Sequence, residues 1–354
     1  MDYFWRRHSL EELQGAWNSL VFRSSFPNFF SSYEWVRSWW KIFGKGKEEW
    51  VWGFYQSGTL IGIAPMALSG KSLSFIGTGL SDRLDFIIEK GKEGEFLLSF
   101  LDLIQEQGCW DLLDLQEVDS ESPTSLFFQS LVGRVSPGVY LQSKLPFLSL
   151  PSTWEEFLGR YSKKRRDKIS YYPRNLGKSF PYWIEEIEEE NLPRGLEFFF
   201  KLHLSRFKRK LMPTLLMLPR FREFHLELAR GLSGKGTMKI FLLLIKGEPA
   251  GSLYGFQFGD RFNFYLSGQD ERYHPFGLGF ILQIHAIKTA IEKGIKYFDF
   301  LRGIEGYKTH WKPGIRQNFR IITHKRTLRG KISFNVKRIE HGITDFIKKR
   351  AGRI

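Results

Sequence analysis

A single cysteine, Cys109, in 354 residues leaves no partner for an internal disulfide and too few thiolates for a cysteine-based metal site. Long apolar runs are missing as well. The longest, such as Ile240 to Ile245, are strand-sized, far below the about 18 residues a membrane-spanning helix needs. Met1 to His8 is charged at once and holds no apolar signal region. The eight histidines are scattered, without a His-Glu-x-x-His or a paired Cys/His spacing, so no metal is expected. A Gly-x-Ser-x-Gly elbow and a Walker loop are also absent, which removes the motif support for a hydrolase or an NTPase. Acidic residues are in deficit, 38 against 53 Lys and Arg, for a net charge of +15. The expectation is a cytoplasmic protein, at most peripheral to the inner membrane.

What is present is enough for a folded chain. A hydrophobic content of 42%, with 16% aromatics, excludes a disordered polymer, and the length leaves room for two ordinary domains. The positive charge sits in two blocks. Arg160 to Lys178 holds eight basic residues against Asp167, and Lys312 to Ile354 holds thirteen against Glu340 and Asp345. Blocks of this kind suit an anionic partner, here an anionic membrane surface or tRNA, and equally suit a solvated helix face. DNA is not expected.

Ser9 followed by Glu12 reads as a capping box opening a helix over residues 9–20, and Tyr33, Val36, Trp39 and Trp40 form a second helical stripe. Trp50 to Tyr55, Leu60 to Leu68 and Ser72 to Ile76, joined by glycine turns, form a three-strand meander. It returns 189 residues later. That shift sets Gly58 on Gly247, Gly62 on Gly251, Gly70 on Gly259, Phe75 on Phe264 and Gly79 on Gly268. Turn glycines at fixed offsets mark matching backbone conformations. A helix, a glycine and a strand carrying Asp114 or Asp299 follow in each copy, which reads as a duplicated α/β unit. Pro146 to Pro151 reads as the joint. Beyond it, Trp154 to Tyr171 reads as a basic helix stopped by Pro173. Asn335 to Lys349 reads as a basic terminal helix. The expected domains are 1–148, 149–330 and a tail over 331–354.

His274, Phe276, Gly277, Leu278 and Gly279 lie between a meander strand and a helix. Glycines there let backbone N–H groups approach a pyrophosphate, and the helix N-terminus adds partial positive charge. A tight strand-to-helix turn would use the same residues.

The order strand, hairpin, strand, x-x-x-Gly-x-Gly, helix, strand resembles the core of the GNAT acyltransferases. The wider pattern is similar to the CelD/BcsL-like branch. It comprises Phe30 to Trp40; Gly77 to Asp85 with Ser81, Asp82 and Asp85; Lys164-Arg165-Arg166; Leu202, His203 and Arg206; and Asp299, Phe300, Gly303, Tyr307, Lys308 and Trp311. The tandem arrangement also resembles the FemAB aminoacyl-transferases, which take an amino acid from tRNA. These resemblances imply an α/β (α+β) fold of tandem GNAT-like domains, each a mixed, mostly antiparallel sheet flanked by helices. They imply acyl-CoA as co-substrate, bound at His274 to Gly279 with Leu266 and Ser267. A saccharide or lipid-linked acceptor in exopolysaccharide or cell-envelope biosynthesis is implied as well, and Lys308 is implied as the cation nearest the chemistry. The alternatives are an aminoacyl-tRNA donor and a non-catalytic binding module.

The chemistry asks for a base, an oxyanion site and an acid to the leaving group. Backbone N–H groups of the strand Arg261 to Ser267 suit the oxyanion, Lys308 suits developing charge, and Tyr307 suits the acid. Tyr307 and Trp311 fit ordinary packing as well. Glu305, His203, Asp299 and Asp85 are the candidate bases. His203 on an apolar face also fits a satisfied core histidine, and Asp299 between aromatics also fits a buried structural acid. Asp82, Asp85, Arg206 and Trp311 are the residues expected to meet the acceptor.

Overall fold

The computed structural model describes residues 2–132, 137–209, 214–325 and 327–350; the side chains of 206–209 and 345–350 lie outside the described set. In chain order the elements are β1 (Tyr3–His8), α1 (Leu10–Arg23), α2 (Tyr33–Phe43), β2 (Glu48–Gln56), β3 (Thr59–Ser69), β4 (Ser72–Phe75), β5 (Ile87–Ile88), α3 (Glu93–Glu106), β6 (Leu112–Asp119), α4 (Pro123–Ser130) and β7 (Gly138–Ser149). Then come α5 (Trp154–Gly159), α6 (Lys163–Ser179), β8 (Tyr182–Glu186), α7 (Leu192–Arg209), α8 (Pro219–Leu232), β9 (Met238–Ile245), β10 (Glu248–Phe258), β11 (Arg261–Gln269), α9 (Leu278–Glu292), β12 (Tyr297–Asp299), α10 (Gly306–Thr309), β13 (Gly314–His324) and α11 (Leu328–Arg350). The Ser9–Glu12 capping box is formed, which explains where α1 starts.

Two compact units divide the chain. The first orders its strands β1-β2-β3-β4-β6-β13, and the second β8-β9-β10-β11-β12-β7. Pairing is antiparallel except at β4–β6 and β11–β12, where a helix returns the chain in the parallel sense. The duplication reaches single residues. Ser57-Gly58 and Lys246-Gly247 both turn with two positive φ values, 47° and 81° against 53° and 85°. Such paired left-handed residues match the twist of a two-residue hairpin. One extra residue then bulges β3 at Ile61 and β10 at Ala250, again 189 residues apart. Next to each bulge a glycine lets the following helix close in. A Cβ at Gly62 would meet Phe96 of α3 at 2.3 Å, and one at Gly251 would meet Leu282 of α9 at 3.1 Å.

The unit boundaries differ from a single cut after residue 148. Residues 302–305 and the described residues from Ile315 onward belong to the first unit. The physical reason is β13, which pairs with β6 from Asn318↔Asp119 to His324↔Leu112. Arg320 clamps that pairing with two hydrogen bonds, 2.7 and 2.6 Å, to the buried Asp114 carboxylate. The sixth strand of the second sheet is instead supplied by Phe147 to Ser149 on β12.

Pro173 does not stop its helix. α6 runs on to Ser179, because Ile169 and Leu176, on either side of the proline, are both anchored in the second unit's core. The cost is one missing backbone donor.

Candidate active site

In the second unit β11 and β12 pair only from Arg261↔Tyr297 to Asn263↔Asp299, yet β11 continues to Gln269. The two parallel strands therefore part after Asn263. A bulge at Tyr265, opposite the Tyr254/Gly255 step of β10, adds local twist at the same place. Phe264 turns toward Phe300 and Tyr307, with ring centroids 6.1 and 6.3 Å away, while Tyr265 turns toward His225 and Tyr254. The result is a length of strand edge, residues 264–269, that β12 does not cover.

His203 of α7 sits on that edge. Its Nδ1–H donates to the Ser267 carbonyl at 2.9 Å, so in the neutral ring Nε2 is the acceptor, facing the Thr214 hydroxyl at 3.2 Å. The approach is close because residue 268 is glycine; a Cβ there would lie 2.5 Å from the His203 backbone nitrogen. His225 lies deeper, bonded to the Tyr254 hydroxyl at 3.0 Å. Burial, with the neighbouring His203 adding to it, pushes its pKa down to about 3, so this imidazole stays neutral at working pH.

The turn between β11 and α9 is built as its glycines suggest. Gly277 adopts a left-handed conformation, φ 66° and ψ 43°, and its N–H donates to the His274 carbonyl at 3.1 Å. His274 is exposed, Phe276 and Gly279 are half-buried, and Leu278 is buried. Two neighbours occupy the turn. The Tyr172 ring of α6 lies so close that a Cβ on Gly277 would meet it at 2.7 Å, and Gln269 Oε1 accepts from the Gly279 N–H at 3.3 Å.

After β12 the chain turns through Leu301, a non-glycine residue at φ 58°. Both of its backbone groups are held. Asp299 Oδ1 accepts from its N–H at 2.9 Å, and Lys308 Nζ donates to its carbonyl at 3.4 Å. Asp299 is fully buried and its other oxygen meets Arg261 at 3.2 Å; Lys308 is 3% exposed. Holding a left-handed Leu offsets its backbone strain. Replacing Lys308 by Met should therefore destabilise the protein by about 1–3 kcal/mol, read from urea unfolding. An unchanged midpoint with abolished turnover would assign the ammonium to chemistry instead. Trp311 is core: it stacks on Phe280, its indole N–H donates to Gln283 at 2.8 Å, and its carbonyl accepts from Tyr161.

The model of the acetyltransferase (GNAT) domain matches residues 163–309, which carry the parted strands, the glycine turn and α9. This segment is a GNAT-family domain. Solved structures share the fold across the chain. FemX aligns with a TM-score of 0.63 at 11% identity, over 90% of this chain and 97% of its own. L-PGS from Bacillus licheniformis aligns at 0.60 and 14%, over 94% and 97%. The C-terminal domain of a putative lysylphosphatidylglycerol synthetase from Agrobacterium fabrum aligns at 0.59 and 10%, over 90% and 93%. No curated protein matches the chain.

The GNAT domain thus brings His203, Leu266 and Ser267 together on one edge, and Asp299 with Lys308 around Leu301. Tyr307 lies beside Phe264 at the start of the parting. The Arg206 side chain lies outside the described residues. Among the described residues no group of His, Cys, Asp and Glu is placed to hold a metal ion. Tyr172, Thr214 and Gln269 were not singled out from the sequence. Only Gln269 left a signal there, as a polar side chain ending a strand just before a helix-opening turn.

Asp82, Asp85 and Glu305 lie in the first unit. Glu305 is exposed, with its carboxylate over Gly303. Asp82 pairs with Arg302, which also meets Glu117 at 3.0 Å, and Glu117 accepts from Ser143 at 2.5 Å and Asn318 at 2.9 Å. This network fixes the loop that follows β4. Asp85 accepts from Thr124 and from the Phe86 N–H, but its Oδ2 has no hydrogen-bond partner among the described residues. Burial, with Asp119 adding repulsion, pushes its pKa up to about 7. A raised carboxyl pKa means the folded state keeps its proton while the unfolded state loses it. The stability that Asp85 contributes should then be full near pH 4 and fall away as pH rises to 7. Asp85→Asn should abolish this fall and raise the melting temperature at pH 8 but not at pH 4. Parallel melts of both proteins across that range test it; superimposable pH profiles would show that Asp85 is ionised in the fold.

Proposed function

We propose that the chain is an acyltransferase that moves an acyl group from acyl-CoA to an amine or hydroxyl, with the reacting carbonyl against the open edge of β11. The observation that carries the reading is the parting of β11 from β12 after Asn263, with His203 seated on the length that β12 does not pair. Strand N–H groups without a β12 partner are pre-oriented donors for a tetrahedral oxyanion. His203, its tautomer set by the Ser267 carbonyl, takes the acceptor's proton at Nε2. The Tyr307 hydroxyl returns a proton to the departing thiolate. The pyrophosphate would lie on the turn 274–279, against the positive end of α9, with the Gly279 N–H exchanging Gln269 for a phosphate oxygen. A saccharide or lipid-linked acceptor remains the reading suggested by the CelD/BcsL resemblance.

A second reading, an aminoacyl-tRNA donor of the FemAB kind, is favoured by one arrangement. Tyr172 and Gln269 already occupy the glycine turn, and the basic helix α6 that carries Tyr172 presents Lys163, Lys164, Arg166, Arg174 and Lys178 to solvent. Thermal melts with coenzyme A, acetyl-CoA and long-chain acyl-CoA separate the two. A donor at about a hundredfold its Kd should add about 2.7 kcal/mol of stability. Transfer of label from acyl-CoA to an amine or hydroxyl acceptor would establish the first reading. Silence with every coenzyme A ester, together with salt-sensitive binding of charged tRNA, would replace it by the second.

A further inference from the structure

The last helix, α11, carries an unusual distribution of side chains. Leu328, Ile332, Val336, Ile339 and Ile343 are 77%, 55%, 58%, 60% and 57% exposed. Their spacing of four, four, three and four places them within an arc of about 80° at 100° per residue. The helix is held to the first unit by its other side. Gly330 packs against the backbone of Asp111, Phe334 against His324 at 5.1 Å, and His341 against Tyr140 at 5.1 Å. The branched aliphatic stripe therefore points away from the body to which the helix is docked. Surface helices of globular proteins do the reverse. Isolated exposed apolar residues need no explanation, but five in register form a continuous patch.

The charges around the stripe indicate what covers it. At the same angular step, Arg329 borders one side and Lys331 with Arg338 the other, while Glu340 is tied to Lys337 at 2.7 Å. The sequence continues with Lys348, Lys349 and Arg350 against one acid, Asp345. Two antiparallel copies of such a helix would set Lys331 and Arg338 against like charges along that border, which disfavours self-association. An apolar stripe between basic borders instead matches the boundary of an anionic bilayer, where acyl chains lie beneath negative headgroups.

We propose that α11 is an interfacial membrane helix: Leu328, Ile332, Val336, Ile339 and Ile343 enter the outer acyl region of an anionic leaflet, and Arg329, Lys331 and Arg338 meet its headgroups. No described helix is long and apolar enough to cross a membrane, so the helix lies in the surface plane. The inference is independent of the donor and of the reaction.

Flotation of the full chain with vesicles tests it. The protein should float with vesicles of equal parts phosphatidylglycerol and phosphatidylcholine, and poorly with phosphatidylcholine alone. The pair Val336→Asp and Ile339→Asp should weaken vesicle partition by about tenfold or more. Lys331→Glu with Arg338→Glu should weaken it severalfold at low salt and little at high salt. Both positions of the first pair are exposed, so its melting temperature should match that of the parent. Hydrogen exchange on the unaltered protein gives a second readout, with vesicle-dependent protection confined to peptides within 328–344. Absence of flotation with anionic vesicles, flotation of the Asp pair equal to the parent, or protection outside this helix alone would overturn the proposal. A dimer that the Asp pair dissociates, with no vesicle binding, would assign the stripe to a second copy.

Discussion

His203→Asn is expected to lower kcat by about a hundredfold to ten-thousandfold, far more than the loss of a buried ring from beside Phe199 and Thr214 lowers stability. Asparagine can keep its amide N–H on the Ser267 carbonyl, the bond that His203 Nδ1 makes at 2.9 Å, but offers no basic nitrogen where Nε2 stands. The substitution therefore separates positioning from proton transfer. KM for the donor should hardly move, because asparagine keeps the bond to the Ser267 carbonyl and so the shape of the strand edge. Label transfer from acyl-CoA, with kcat and KM read separately, is the measurement. Activity within a factor of two of the parent would remove His203 from the chemistry. His225, neutral because burial pushes its pKa to about 3, serves as the control; its replacement should act through stability, by lost packing and the lost bond to Tyr254.

The largest stability effect is expected at Asp299. Asp299→Ala should destabilise the protein by about 3–5 kcal/mol, since it leaves the Leu301 N–H without its acceptor and Arg261, 19% exposed at its side chain, without its ion-pair partner. Asp299→Asn should cost less, because the amide oxygen can still accept from Leu301. If Asp299 acted as the base, the ranking would differ: the Asn variant would fold like the parent and be inactive. Urea unfolding of both variants, with turnover measured at low temperature where both are folded, distinguishes the outcomes. The site makes the structural result the expected one, because both carboxylate oxygens already have donors and the group is fully buried.

Repetition was the part of the fold most open to reading in the chain. Glycines at a 189-residue offset marked two meanders, because a hairpin needs left-handed residues at fixed places and few other side chains adopt them. The capping box of α1 and the glycine turn before α9 were legible for the same kind of local reason, and the tandem GNAT-like class through the resemblance carried by the order of elements and the motifs. The exchange of sixth strands was not. Nothing local to β13 distinguishes pairing with β6 from pairing with β12; the choice rests on long-range contacts such as Arg320 with Asp114.

For the candidate site the division is similar. Residue types near a turn or on a helix face could be named from the sequence, and His203, Ser267, Lys308 and Asp299 were. Their roles depended on partners far away in the chain. Tertiary packing brought Ser267 to His203, gave both groups of Leu301 to Asp299 and Lys308, and laid Tyr172 on Gly277. The sequence by itself determined local conformation, since turns, caps and periodicity act over a few residues. Only the tertiary structure decided which polar groups are buried and by whom they are satisfied, because that depends on contacts between segments that local rules do not connect.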